Sequence, residues 1–287
     1  MTRKLMTSLL CAAIASIPVT TVAGGSSSFL PAYMQTQNQM IESETWNDWL
    51  REEMVGQATL LDGEDLMSLD APVQAFDAAT VPFTLRQRAG TERITHLKMV
   101  VDENPMPLVA DFTFGPQMGE ISFESRVRYD VYSNIRAIAR LEDGRTMMVG
   151  RFVQAAGGCS AAVTRDVAAV EATMGEIRLK QIDTSGGTST AGDGKPREVQ
   201  LMIRHPNFTG MQVHTGTLDH IEARFINLVE VMLDGEILFK MEGGFSISEN
   251  PSFRFSYLDN GSSEMMVRAV DTDGTEFVQR FALQSGT

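Results

Sequence analysis

The chain has 287 residues, 43% of them apolar and 21% charged, which is enough apolar material for two ordinary cores and too little charge for a disordered polyelectrolyte. Lys and Arg number 24 against 37 Asp and Glu, a formal charge of −13. That balance excludes affinity for nucleic acid by phosphate neutralisation and retention on an anionic membrane by a basic patch. Four histidines and two cysteines, with no C-x-x-C, leave little for a zinc framework. The G-x-S-x-G, H-E-x-x-H and P-loop signatures do not occur, so the commonest hydrolase, metalloprotease and nucleotide-binding chemistries lack their parts.

The chain opens as an address. Arg3 and Lys4 precede the mainly apolar stretch Leu5 to Val22, and Thr21-Val22-Ala23 closes it before Gly24-Gly25-Ser26. A basic start, an apolar middle and a small-x-small end predict a secretory signal peptide over 1–23, with a mature N-terminus near Gly24. Thr7, Ser8, Ser16 and Pro18 break the run too often for a membrane-spanning helix. Cleavage removes Arg3, Lys4 and Cys11 but no acid, so the mature chain is more acidic still and keeps a single cysteine, Cys159. An unpaired thiol in a compartment where disulfides form makes this residue the most informative in the sequence.

Residues 24–40 are rich in Gly, Ser and Gln. A short helix is then predicted from about Glu44 to Val55, with Trp46, Trp49 and Leu50 on one face. Short alternating runs follow at 81–85, 96–101, 109–114, 121–128, 135–141 and 146–153, separated by turn signals such as Glu142-Asp143-Gly144. From Thr184 to Arg197 the sequence TSGGTSTAGDGKPR reads as a flexible linker. Strands resume at 199–204, 225–233, 236–241, 253–257, 265–270 and 277–283, with Asp234-Gly235, Asn260-Gly261 and Asp273-Gly274 as tight turns. The expected architecture is mainly β: two β-sandwiches joined by a flexible linker.

Cys159 lies in Ala155-Ala-Gly-Gly-Cys-Ser-Ala-Ala162, where every neighbour is small and Gly157 and Gly158 give the backbone freedom. This predicts a mobile arm with an exposed, reactive thiol of ordinary acidity, about 8.5. His205, His214 and His220 share one stretch, but their separations match no common zinc pattern, and no metal site is predicted. The 18 methionines show no M-x-M or M-x-x-M and read as core filling. Asp102-Glu103-Asn104-Pro105 reads either as an acidic site or as a plain turn after a strand.

Two sets of stretches carry a family likeness. Trp46-Asn-Asp-Trp-Leu50, Glu103-Asn-Pro-Met-Pro-Leu-Val-Ala-Asp-Phe-Thr-Phe114 and Gly157-Gly-Cys159 resemble SoxY, the carrier subunit of the periplasmic thiosulfate-oxidising system. Met202-Ile-Arg-His-Pro-Asn-Phe-Thr-Gly-Met-Gln212, Ala223-Arg-Phe-Ile226 and Ile247-Ser-Glu-Asn-Pro-Ser-Phe-Arg-Phe255 resemble SoxZ. The order matches fused SoxYZ-like carriers associated with quinoprotein dehydrogenases. The resemblance divides the chain into a signal peptide (1–23), a SoxY-like sandwich (44–160), a connecting segment and linker (161–197) and a SoxZ-like sandwich (198–287), both sandwiches immunoglobulin-like. It implies a periplasmic protein that is a carrier rather than an enzyme, without cofactor, whose Cys159 holds a sulfur intermediate for sulfur-oxidation or quinoprotein dehydrogenase enzymes, with Gly157 and Gly158 giving the arm its flexibility. The other reading is an acidic accessory protein for a pyrroloquinoline quinone dehydrogenase, in which Cys159 carries nothing. Neither reading involves nucleic acid, or a membrane after signal cleavage. Two departures stand out: the family's cysteine ends the chain within Gly-Gly-Cys-Gly-Gly, whereas here Ser160 and Ala161 follow and the chain continues, and Arg224 stands where the SoxZ pattern has a histidine.

Overall fold

A computed structural model describes residues 38–182, 192 and 194–283. The signal peptide expected over 1–23 and most of the linker expected over 184–197 lie outside the described residues. Among the described residues the first element is a π-helical turn, Trp46–Leu50, running into helix α1, Arg51–Val55. In the first half follow β1 (Leu60–Asp62), β2 (Met67–Asp70), β3 (Val81–Gln87), β4 (Ile94–Val101), β5 (Leu108–Phe114), β6 (Ser122–Val127), β7 (Ser133–Leu141) and β8 (Thr146–Val153). A one-turn helix α2 (Val167–Glu171) and β9 (Ile177–Ile182) precede β10 (Pro196–Ile203), β11 (Ile226–Leu233), β12 (Glu236–Gly243), β13 (Ser252–Leu258), β14 (Glu264–Asp271) and β15 (Glu276–Ala282).

These strands form two sheets, and each sheet takes strands from both halves. The larger runs β1-β8-β7-β4-β5-β12-β11-β14-β15 and the smaller β2-β3-β6-β13-β10-β9. The mainly β, sandwich-type architecture is as expected, but the two sandwiches are welded edge to edge. On one side β5 pairs with β12 from Phe239↔Phe114 to Gly243↔Ala110; on the other β6 meets β13 only at Arg254↔Glu124 and Phe255↔Phe123. Alternation dictates what fills the seam. Phe112, Phe123, Phe239 and Phe255 all face inward, and across the seam Phe239 meets Phe112 and Phe123 edge-on, with centroids 6.2 Å and 6.1 Å apart. Such pairs add to the apolar burial that joins the halves.

All twelve predicted strands are present. β1, β2 and β9 were not expected: the first two are too short to show a period, and β9 is an edge strand with most of its positions exposed or half-exposed. Strand β9 changes the role of the linker, because it pairs antiparallel with β10 from Ile203↔Ile177 to Glu198↔Ile182. The Gly-Ser-Thr stretch therefore connects neighbouring strands of one sheet within the second half. The chain crosses between the halves over 154–176 instead, the stretch that contains Cys159.

The expected helix forms, with one correction. Trp46 and Leu50 are buried, but Trp49 is 46% exposed. The turn closes by an i→i+5 bond, the Arg51 N–H donating to the Trp46 carbonyl, and this wider turn carries position i+3 away from the packing face. The helix rests on the outside of the larger sheet against Val100 and Ile138. Beneath it lies a buried ion pair, Arg136 Nε to Asp102 Oδ1 at 2.7 Å, with the guanidinium 4.0 Å from the Trp46 ring centroid.

Candidate functional site

Each limb of the Cys159 segment is held by a different half of the molecule. The incoming limb leaves β8 with Gln154 bridged in parallel to Gln74. Gly157 N–H then donates to the Asp130 carbonyl and Gly158 N–H to the Tyr129 carbonyl, both at 2.8 Å. On the outgoing limb Thr209 Oγ1 donates to the Cys159 carbonyl at 2.6 Å and Gln212 Nε2 to the Ala161 carbonyl at 3.0 Å. Val163 N–H donates to the Val213 carbonyl and Thr215 N–H to the Val163 carbonyl, each at 3.0 Å, so this limb lies along the 209–215 loop like a short added strand.

Arg128 locks the two sides together. Its guanidinium, 2% exposed, donates to the carbonyls of Gly158 (3.2 Å), Asn207 (3.3 Å) and Pro206 (3.4 Å). Burial pulls its pKa down, while Glu249, Cys159 and Asp77 pull it up. Asn104 braces the same place: its Nδ2 donates to the Arg128 carbonyl and Ser246 Oγ, and its Oδ1 accepts the Asp130 N–H at 2.9 Å. The stretch Asp102-Glu103-Asn104 is thus a structural turn: Asp102 pairs with Arg136, and Glu103 accepts from Ser43 and Thr45 ahead of the helix.

The arm is accordingly docked, and the expectation of an exposed thiol is corrected: Cys159 is 0% exposed. Small neighbours let the backbone approach so closely that the side chain turns inward, while Ala156, Gly157 and Ser160 remain exposed. Burial pushes the thiol's pKa up to about 12, Asp130 adds to that, and Arg128 opposes it. The two glycines have distinct jobs. Gly157 has φ +83°, where a side chain is strained although the space is open; a Cβ on Gly158 would overlap the Ala78 carbonyl. Phe76 at 112% exposure and Val131 and Tyr132 at 46% and 54% stand on the segments that grip the incoming limb.

The histidines do not assemble a site. His205 is fully buried, its Nδ1 2.8 Å from Asn207 Oδ1 and its Nε2 3.5 Å from Asp271; burial pulls its pKa below the usual range despite both partners. His214 forms a backbone bridge with Val163 and its ring takes the Thr217 N–H, whereas His220 bridges to Val213. No group of three or more potential metal ligands occurs among the described residues. Arg224 receives an account here: its Nε lies 2.9 Å from the buried Asp271 and 3.1 Å from Asp273, a cation placed where a buried carboxylate requires one.

Sequence reasoning singled out Cys159 and the glycines but not Arg128, Asn104, Thr209 and Gln212, the residues that hold them. Asn104, Thr209 and Gln212 fall inside two of the likeness motifs, which was their one signal. Arg128 gave none, since a basic residue at a strand end normally reads as solvated.

Comparison with known proteins agrees with the two-part reading. Residues 51–159 match the family model of the sulfur oxidation protein SoxY, and residues 185–282 match that of the sulphur oxidation protein SoxZ. The chain belongs to these sulfur-oxidation proteins. It is a fused SoxYZ-like protein, with a SoxY part followed by a SoxZ part in one polypeptide. Among solved structures it is similar to the sulfur carrier protein SoxY from Chlorobium limicola f thiosulfatophilum, at 22% identity over 39% of this chain and 97% of that one, with a TM-score of 0.32. It is also similar to a beta-glycosidase from Bacteroides vulgatus, at 7% identity over 76% of this chain and 24% of that one, with a TM-score of 0.22. No curated protein matches the chain.

Two predictions arise from the docked arm. Gly158→Ala should raise the rate at which Cys159 reacts with Ellman's reagent roughly a hundredfold, because an overpacking penalty of up to about 3 kcal/mol falls on docking alone. An unchanged rate would mean that the arm tolerates the added methyl group in place. The second concerns pH. A docked thiol whose pKa lies near 12, against an ordinary 9.0, stabilises docking fully below pH 9.0 and loses that contribution as pH rises toward 12. Labelling should therefore steepen above pH 9.0 beyond what ionisation of a free cysteine gives, as a parallel rate measurement on a cysteine peptide will reveal.

Proposed function

We propose that this protein is a periplasmic, non-enzymatic carrier that holds a sulfur intermediate covalently on Cys159 while sulfur-oxidation enzymes act on it. The observation that supports this reading most is convergence. The SoxY-like motif supplies Asn104 and the glycines, the SoxZ-like motif supplies Thr209 and Gln212, and both sets meet on the two limbs of one cysteine-bearing loop. The bonds that hold the arm are made by its backbone rather than its side chains, so lifting it costs little side-chain burial apart from Cys159 itself.

Double tethering limits the reach. With the clamps at Gly157, Gly158, Thr209 and Gln212 released, the stretch from Cys159 to Val163 extends by at most about 3.4 Å per residue, roughly 14 Å in all. A partner enzyme must then come to the arm, with its cleft opening close to Phe76, Val131 and Tyr132, and must admit a hairpin loop rather than a free chain end. Glycine at 157 and 158 keeps that loop narrow.

Burial of Cys159 is the observation that favours the other reading, an accessory to a quinoprotein dehydrogenase in which the thiol merely fills space. An intact-mass spectrum of protein taken directly from its native periplasm separates the two. The carrier reading predicts added mass of sulfur or sulfur oxyanion localised to Cys159; a uniformly bare thiol would favour the accessory.

A further inference from the structure

The docked arm leaves no water-sized space beside Cys159. Zero exposure means that no solvent-sized sphere touches any part of the residue, from outside or from an enclosed void. Any cargo larger than the hydrogen of the thiol must therefore displace packed atoms, and a sulfur oxyanion adds several heavy atoms. The surroundings also disfavour charge. Asp130 and the guanidinium of Arg128 are the charged groups that act on the thiol, and Arg128 is shared with Asp77 and Glu249 and committed to three carbonyls. A buried anion without a dedicated partner is costly.

We propose that loading ejects the arm: the docked position accepts the bare neutral thiol and rejects the cargo-bearing one, so the empty carrier hides Cys159 and the loaded carrier displays its cargo. This builds on the carrier reading of Cys159 and adds a direction to it. Loading captures the transiently lifted arm, and release of the cargo lets it dock again. A partner enzyme consequently distinguishes loaded from empty protein by the position of residues 155–163, before it touches the cargo. The clamps are weak enough individually for such a switch, since each is a single hydrogen bond worth about 1 kcal/mol.

Backbone hydrogen exchange on chemically loaded protein tests this. With tetrathionate, the Cys159 thiolate attacks one of the two central sulfurs and the central S–S bond breaks. Thiosulfate leaves with the electron pair, the thiol proton passes to solvent, and Cys159 keeps an –S–SO3− group. Methyl methanethiosulfonate adds the small neutral –S–CH3 in the same way, with methanesulfinate leaving. Complete modification is verified by intact mass. The Gly157 and Gly158 amides, which donate to the Asp130 and Tyr129 carbonyls, should exchange about tenfold or more faster in the –S–SO3− form, while β7 and β14 stay protected. Acceleration with the anionic group, accompanied by a lesser one from –S–CH3, supports ejection. Unchanged protection of these amides in the –S–SO3− form overturns it. The carrier reading fails on a different result, a Cys159 that never bears sulfur in the cell, so the two are separable.

Discussion

A strain whose only copy of this protein carries Cys159→Ser will oxidise reduced inorganic sulfur no better than a deletion strain. The serine hydroxyl can replace the thiol in the docked arm but cannot form the S–S linkage on which the carrier role depends. Because Cys159 is buried, the exchange has a structural cost, about 1 kcal/mol for a small polar group in a site built for a weakly polar one. For a protein of this size that amounts to a fall in Tm of about 2–4 °C, readable by calorimetry and far too small to empty the folded population. Loss of oxidation with the fold retained is the expected pair of results. A Cys159→Ser strain that oxidises sulfur at the wild-type rate would leave the accessory reading in its place.

Arg128→Ala should be the most damaging single change outside the seam. It removes the donors of three carbonyls, two of them from the second half of the chain, and leaves a cavity where a nearly fully buried guanidinium stood. A buried acceptor without a partner costs about 1–3 kcal/mol. Even with some relaxation the loss should reach about 3–5 kcal/mol, or a Tm lower by about 10 °C. The thiol should become reactive well below that melting temperature, since the Gly158 carbonyl loses its tie to the Pro206–Asn207 corner before the sheets part. Arg128→Lys separates geometry from charge: one ammonium cannot span three carbonyls in the plane that the guanidinium fork serves, so it should restore only part of the stability. A variant with native Tm and native thiol protection would show that Arg128 is not the lock.

Most of the fold was legible because alternation is a strong signal where one face of a strand is buried. β13 and β14 switch between buried and half-buried at every residue, and both were located within a residue or two. What the sequence did not convey was which strands are neighbours. Nothing in Phe112 or Phe239 states that β5 pairs with β12, so the halves were expected as separate bodies and are in fact one pair of continuous sheets. The composition of 184–197 was read as the joint between the sandwiches, whereas the pairing of β9 with β10 makes it a connection between adjacent strands of one sheet. The site was half legible. A lone cysteine among glycines and alanines was conspicuous, yet the same smallness that suggested mobility is what lets the segment lie close against Ala78 and Tyr129 and turn its thiol inward.

The carrier claim is tested most directly by following the cargo. Trypsin releases Cys159 in the peptide Phe152–Arg165, bounded by Arg151 and Arg165. Cells oxidising a reduced inorganic sulfur compound would be quenched in acid at intervals, before and after the sulfur source runs out, and this peptide weighed without reduction. A carrier predicts an adduct of sulfur or sulfur oxyanion on Cys159 that rises while the compound is being consumed and falls once it is exhausted. A peptide that stays bare, or that bears the same modification throughout, would contradict the account.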